Sequence, residues 1–328
     1  MCEYHLLILA HPLPIALRSV YMASSIQRTM GAREWLMLIT LSVLWGGSFF
    51  FVEVAVTALP PLTIVALRVG LAAITLWAIA MAMGLKFPTN LGLWAAFLTM
   101  GLLNNIIPFS LIVWGQTHIS SGLASVLNAT TPLFGVLVAG LLLADERISG
   151  LKLIGVAIGF SGVLVMIGMP TVDIATQASV LAQMAILVAA LSYAFASVFG
   201  RRFKATGLNP IIIAAGQVTG STVILAPVAM LVDGPLVIFG PLGPSYLVWM
   251  SILALAIFST ALAYVLYFKI LSSSGATNIL LVTLLVPVSA ILLGTLLLSE
   301  TLGWNQMAGM GLIACGLSAI DGRLWKRK

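Results

Sequence analysis

Apolar residues in this chain run on in long stretches, without the period of two of a half-buried strand or the single stripe of an amphipathic helix. A helix needs about 20 such residues to cross the hydrocarbon core of a bilayer. Ten stretches qualify, at 35–57, 62–83, 91–114, 120–143, 151–169, 178–200, 209–232, 245–269, 275–298 and 303–320. Turn-forming and charged residues separate them, among them Pro60-Pro61, Pro88-Thr89-Asn90, Asp145-Glu146-Arg147, Asn209-Pro210 and Gly243-Pro244. In lipid an open segment satisfies its backbone only as a helix, and nothing here alternates like a barrel strand. The pattern therefore predicts an all-α integral membrane protein of ten transmembrane helices.

Composition agrees. Of 328 residues, 61% are hydrophobic and 7% charged, where a soluble domain carries about a quarter charged residues. The formal charge of +6 does not point to nucleic acid, because Lys and Arg sit between apolar runs and form no single basic patch. They set orientation instead. With the N terminus in the cytoplasm, Arg18, Arg28, Arg33, Lys86, Arg147, Lys152, the Arg201–Lys204 cluster, Lys269 and the Arg323–Lys328 tail all fall on the cytoplasmic side. Arg68 stands apart, inside the second span. Nine or eleven spans would scatter these charges over both faces. The bias thus supports the count and puts both termini in the cytoplasm of a bacterial-type inner (plasma) membrane. Cys2 and Cys315, with His5, His11 and His118, make neither a disulfide framework nor a metal site, and no cofactor is implied. Residues 1–34 read as a cytoplasmic or interfacial extension. Residues 1–29 fit no clean targeting pattern, and Met30 is an alternative start.

The remaining chain divides into two halves, 35–169 and 170–321, followed by a basic cytoplasmic tail at 322–328. Pro61 and Arg68 are seven residues apart at the start of the second span, as are Pro210 and Gln217 at the start of the seventh. Pro132, Glu146, Gly155 and Gly162 recur in order as Pro287, Glu300, Gly309 and Gly316, with one residue of slippage between proline and glutamate. Five spans per half make the second half enter from the opposite side. Such inverted repeats serve secondary transporters, in which one half rocks against the other around a site near the midplane. The run Leu44-Trp45-Gly46-Gly47-Ser48-Phe49, the pair Leu67-Arg68 and the repeated proline, glutamate and glycine pattern resemble the EamA-like drug/metabolite transporters over residues 35 to 320. The resemblance implies ten helices around a central cavity and the movement of small metabolites, often amino acids or related compounds and commonly outward.

Three prolines stand mid-span, Pro108, Pro132 and Pro287, and each frees the carbonyl four residues earlier, on Asn104, Asn128 and Thr283. Freed carbonyls beside amide side chains make a polar patch that a membrane tolerates only where protein or a water-filled cavity faces it. The alternative is an ordinary kink re-satisfied by Ser or Thr neighbours. Trp45, Asn104, Asn105, Asn128, Tyr193, Tyr264 and Asn278 are the substrate-binding candidates, since aromatics with amides suit a small amphipathic or zwitterionic ligand. The glycines Gly155, Gly159, Gly162, Gly309, Gly311 and Gly316 read as helix-packing residues. Glu53 and Arg68 are the clearest charges inside spans. Placed at similar depth on two helices joined by a short connection, they are expected to form an ion pair, with substrate or a proton as competitors for it.

These residues point to a secondary transporter, most simply an exporter, of a small metabolite by alternating access and not to an enzyme. An intramembrane enzyme needs a midplane acid–base pair, and a channel a charged ring or filter. Neither pattern is present. The expected partners are a small-molecule substrate and the lipid bilayer, with protons a candidate coupling ion, a homodimer left open, and no nucleic acid.

Overall fold

The computed structural model describes residues 31–143, 149–167, 174–234, 243–279 and 281–321, and of 174–176, 275–278 and 321 the backbone alone. The described residues form helices joined by short turns, with no strand among them. In chain order the helices are α1 (Ala32–Ala55), α2 (Pro61–Ala82), α3 (Leu91–Gln116), α4 (Ser121–Leu142) and α5 (Gly150–Ile167). Then come α6 (Ile174–Gly200), α7 (Pro210–Val232), α8 (Tyr246–Ala256, Ile257–Leu262 and Ala263–Ile279), α9 (Val282–Leu297) and α10 (Trp304–Asp321). Eight of them, α1 to α8, are long and apolar enough to cross a membrane, and α9 is a shorter apolar helix. Their outward faces match a lipid solvent: Leu91 is 85% and Leu231 86% exposed, placements that water would penalise and hydrocarbon does not.

Local chemistry sets the helix starts. Pro61 and Pro210 occupy first-turn positions of α2 and α7, where a missing N–H is harmless. Asn90 and Ser245 cap α3 and α8 by accepting the N–H of Leu93 and Val248, at 3.2 and 3.5 Å. Carboxylates from the second half cap two first-half helices. Glu300 accepts the Ser121 N–H at 2.8 Å, the Ser121 hydroxyl at 2.9 Å and the Gly122 N–H at 3.1 Å. Asp233 accepts the Thr63 N–H at 2.9 Å and the Thr63 hydroxyl at 2.6 Å. Glu300, the repeat counterpart of Glu146, is thus a helix cap made across the two halves of the chain.

The large interfaces keep their identity when each helix is exchanged for the one five places along. α5 packs on α10 and α2 on α7; α1 packs on α9 as α6 does on α4, and α1 on α8 as α6 does on α3. Glycines set the closest approach. A Cβ on Gly155 would stand 2.7 Å from Gly316 O, and one on Gly162 2.6 Å from Gly309 O, so α5 and α10 touch backbone to backbone.

Two boundaries differ from the expected ones. The ninth span was to begin at 275, but the helix starting at Ala263 runs through to Ile279. Serines alone do not stop a helix: the Ser272 and Ser273 hydroxyls fold back on the carbonyls of Lys269 and Ile270 and leave the ladder in place. The fourth span is instead two segments, Ser121–Asn128 and Thr131–Leu142, the second opened by Pro132 in its first turn.

Candidate functional site

Spans α3 and α8 each lose α-geometry at the same place. α3 is α-helical for 11 residues, Leu91–Gly101, and then widens into a π segment, Leu102–Ile106. α8 is α-helical for 11 residues, Tyr246–Ala256, and then widens over Ile257–Leu262. In α3 the cause is Pro108: its ring crowds the preceding turn, and the Ile107 N–H reaches back to Leu102 O. In α8 no proline is present, and the Thr260 hydroxyl donates to Leu255 O at 2.8 Å. The opened turn of α3 exposes Leu103 O, which accepts the hydroxyl of Ser192 from α6 at 2.7 Å.

The π segments present polar side chains to each other's half. Their third and fourth residues are Asn104 and Asn105 in α3 and Ser259 and Thr260 in α8. Asn104 Nδ2 donates to Tyr264 Oη at 3.0 Å and to Gln217 Oε1 at 3.3 Å. Tyr264 in turn donates to Asn105 Oδ1 at 3.0 Å, and Asn105 Nδ2 donates to Ser221 Oγ at 3.0 Å. One connected network thus joins α3, α7 and α8. Its centre is enclosed: Asn105 and Ser221 are fully buried and Gln217 nearly so, while Asn104 and Tyr264 are half-buried. Two hollows of about 560 and 350 Å³ lie elsewhere, the first along α2 and α7 beside Trp77 and Thr219, the second beside Phe195 and Arg202. The network is held together by its own hydrogen bonds.

Arg68 and Gln217 stand at the eighth position of α2 and α7, and each bonds to the π segment of the other half: Gln217 to Asn104, and Arg68 Nε to Thr260 Oγ1 at 2.9 Å. The Arg68 guanidinium carbon lies 3.6 Å from the centroid of the Phe109 ring. The ion pair expected with Glu53 is not made. Glu53 accepts from Gln116 Nε2 at 3.1 Å, and the same amide donates to Phe49 O at 2.9 Å. The physical reason is topological: α1 packs on α9 and α8, α2 on α7 and α8, and the π segment of α8 contacts both. The short 58–61 connection made the two helices sequence neighbours without making them packing neighbours.

Of the seven substrate-binding candidates, Asn104, Asn105 and Tyr264 meet in the network. Tyr193 packs against both apolar cores of the bundle, within electrostatic reach of Arg68. Trp45 lies apart, its ring 5.6 Å from that of Tyr267. Asn128 is half-buried with its Oδ1 buried and unpartnered among the described residues, while the Asn278 side chain lies outside them. Pro132 does not leave a free carbonyl, since Asn128 O accepts the Thr131 hydroxyl at 2.7 Å. Pro287 is buried inside α9. Gln217 and Ser221 belong to the network, Thr260 holds Arg68, and none of the three was among the candidates. The pairing of Gln217 with Arg68 in the repeat was a signal for the first, and its spacing of four from Ser221, one helical turn, for the second.

Long helices with exposed apolar faces, packed around a polar network drawn from several of them, define a polytopic membrane protein with a polar site between its helices. The chain belongs to the EamA-like transporter family, whose model matches residues 33–168 and again 180–320. It is 28% identical to an uncharacterized transporter of Archaeoglobus fulgidus, over 88% of this chain and 98% of that one. It is 29% identical to the uncharacterized inner membrane transporter YedA of Escherichia coli K12, over 84% of this chain and 86% of that one. It is also 26% identical to a protein of the same organism named a probable amino-acid metabolite efflux pump, over 91% and 98%. A solved crystal structure superposes with a TM-score of 0.64 at 19% identity, covering 90% of this chain and 99% of its own, a likeness of fold.

Proposed function

We propose that this protein is a secondary transporter that exports a small metabolite, an amino acid or related amphipathic compound, by alternating access. The observation that carries the reading is the hydrogen-bonded network of Asn104, Asn105, Gln217, Ser221 and Tyr264, built from both halves of the chain. Polar groups enclosed in a membrane are costly unless they have work to do. This set satisfies itself when closed and offers amides and a phenol to a ligand when the halves part. Polar atoms without a partner on the same spans, Ser110 Oγ on α3 and Ser259 Oγ on α8, add acceptor capacity.

The two family matches within one chain, the π segments at equal offsets and the exchange-invariant helix contacts all support ten spans arranged as two inverted repeats. On the charge bias, both termini are cytoplasmic. Export of amino-acid metabolites is the activity that one relative's name carries, and it is extended to this chain as part of the proposal. Glu53, within α1, is the carboxylate assigned to proton coupling. The test is counterflow in proteoliposomes preloaded with unlabelled amino acids, with and without an imposed pH gradient. Saturable exchange is expected. Linear flux indifferent to the unlabelled compound would refute a carrier, and exchange unmoved by the gradient would remove the proton from the scheme.

A further inference from the structure

We propose that Arg68 is the anchoring group for a substrate carboxylate, so that the transported compounds are small carboxylates rather than amines or neutral drugs. The inference rests on the transporter reading and names its substrate class. Arg68 is only 7% exposed, yet it has no carboxylate partner among the described residues. The fixed fork of a guanidinium carries five N–H donors. Here only Nε is used, on Thr260, and the ring face of Phe109 takes the plane of the cation. No hydrogen bond from the two Nη groups is made among the described residues. Glu53, the carboxylate expected to meet it, is held by Gln116 instead.

A cation enclosed in a membrane protein needs an anion, and a fork held at one corner by a hydroxyl is set to receive a planar one in bidentate fashion. The second half supplies an internal comparison. At the equivalent position Gln217, a neutral side chain of similar reach, completes its half of the site by bonding to Asn104. The helix-packing role that a polar side chain performs there does not require a charge. The charge on one half alone gives the site a polarity, with the anionic end of the ligand at Arg68 and Thr260 and its other polar groups at the amides and phenol of Asn104, Gln217 and Tyr264.

The test is binding by the full chain purified in detergent, read as a saturable rise in melting temperature. The probes are the common L-amino acids, their C-terminal amides, the corresponding decarboxylated amines, and sodium chloride at matched ionic strength. At least one acid is expected to stabilise the protein, with its amide about tenfold weaker or more, as loss of a charge-assisted bidentate contact implies. Arg68→Gln should abolish that difference, and Arg68→Lys, which keeps the charge and loses the fork, should retain part of it. The acid-to-amide comparison is made on the wild-type chain and stands whether or not Arg68→Gln folds. Equal binding of acid and amide, binding confined to amines, no shift by any acid, a chloride effect equal to the acid's, or acid preference retained by Arg68→Gln would each overturn the proposal. Counterflow with the best probe separates the two claims. Acid-selective, Arg68-dependent binding without exchange leaves the subsite standing and sinks the carrier, whereas saturable exchange of amines or amides with no acid preference does the reverse.

Discussion

Replacing Gly162 by alanine would put a methyl carbon 2.6 Å from Gly309 O, 2.8 Å from Leu312 Cβ and 2.9 Å from Ile313 N. Carbon and oxygen settle at roughly 3.3 Å or more, so α5 and α10 would have to part locally by about 0.7 Å. Two of the three obstructing atoms are backbone and the third is a Cβ, none of which can swing aside. Overpacking of this kind costs about 1–3 kcal/mol. Against it stands at most about 1 kcal/mol gained by exchanging a helical glycine for alanine. Even with that gain in full, the net loss runs up to about 2 kcal/mol. Gly311, also on α10, is the control, because a Cβ there meets nothing within 4 Å. The assay is thermal unfolding of the detergent-purified chain, followed by loss of the monodisperse size-exclusion peak. Gly162→Ala should melt several degrees below wild type and Gly311→Ala at or slightly above it. Coincident melting of the two variants would show that the α5–α10 contact is not the tight interface described.

Three further outcomes are expected. Tyr264→Phe removes the phenol that accepts from Asn104 and donates to Asn105, and should lower stability by about 1 kcal/mol while weakening half-saturation in counterflow about tenfold; unaltered exchange would take the network out of the substrate path. Glu300→Ala strips three accepted hydrogen bonds from the start of α4 and should cost about 2 kcal/mol in thermal unfolding, with Glu300→Gln intermediate, whereas a neutral Glu300→Ala would refute the cap. A double-mutant cycle of Glu53→Gln with Arg68→Gln should show coupling below about 0.5 kcal/mol, and one of Arg68→Gln with Thr260→Val a larger value; the opposite order would restore the Glu53–Arg68 pair.

The membrane class and the approximate spans were legible in the chain because hydropathy sums over about 20 consecutive residues, a property that needs no partner. The equal spacing of Pro61 to Arg68 and Pro210 to Gln217 likewise marked two positions that the structure places on opposite π segments. Asn104, Asn105 and Tyr264 could be chosen because an amide or phenol within an apolar run is costly wherever it points. The partners were another matter. Thr260 is 192 residues from Arg68, and Ser221 is 116 from Asn105. Which residue meets which depends on the rotation of each helix and on where glycines let backbones touch. The π segment of α8 forms without a proline to announce it, and within it a threonine hydroxyl bonds five residues back. The same holds for Glu53: its sequence neighbour α2 packs elsewhere, so only tertiary packing could hand its carboxylate to Gln116 and leave Arg68 without an anion.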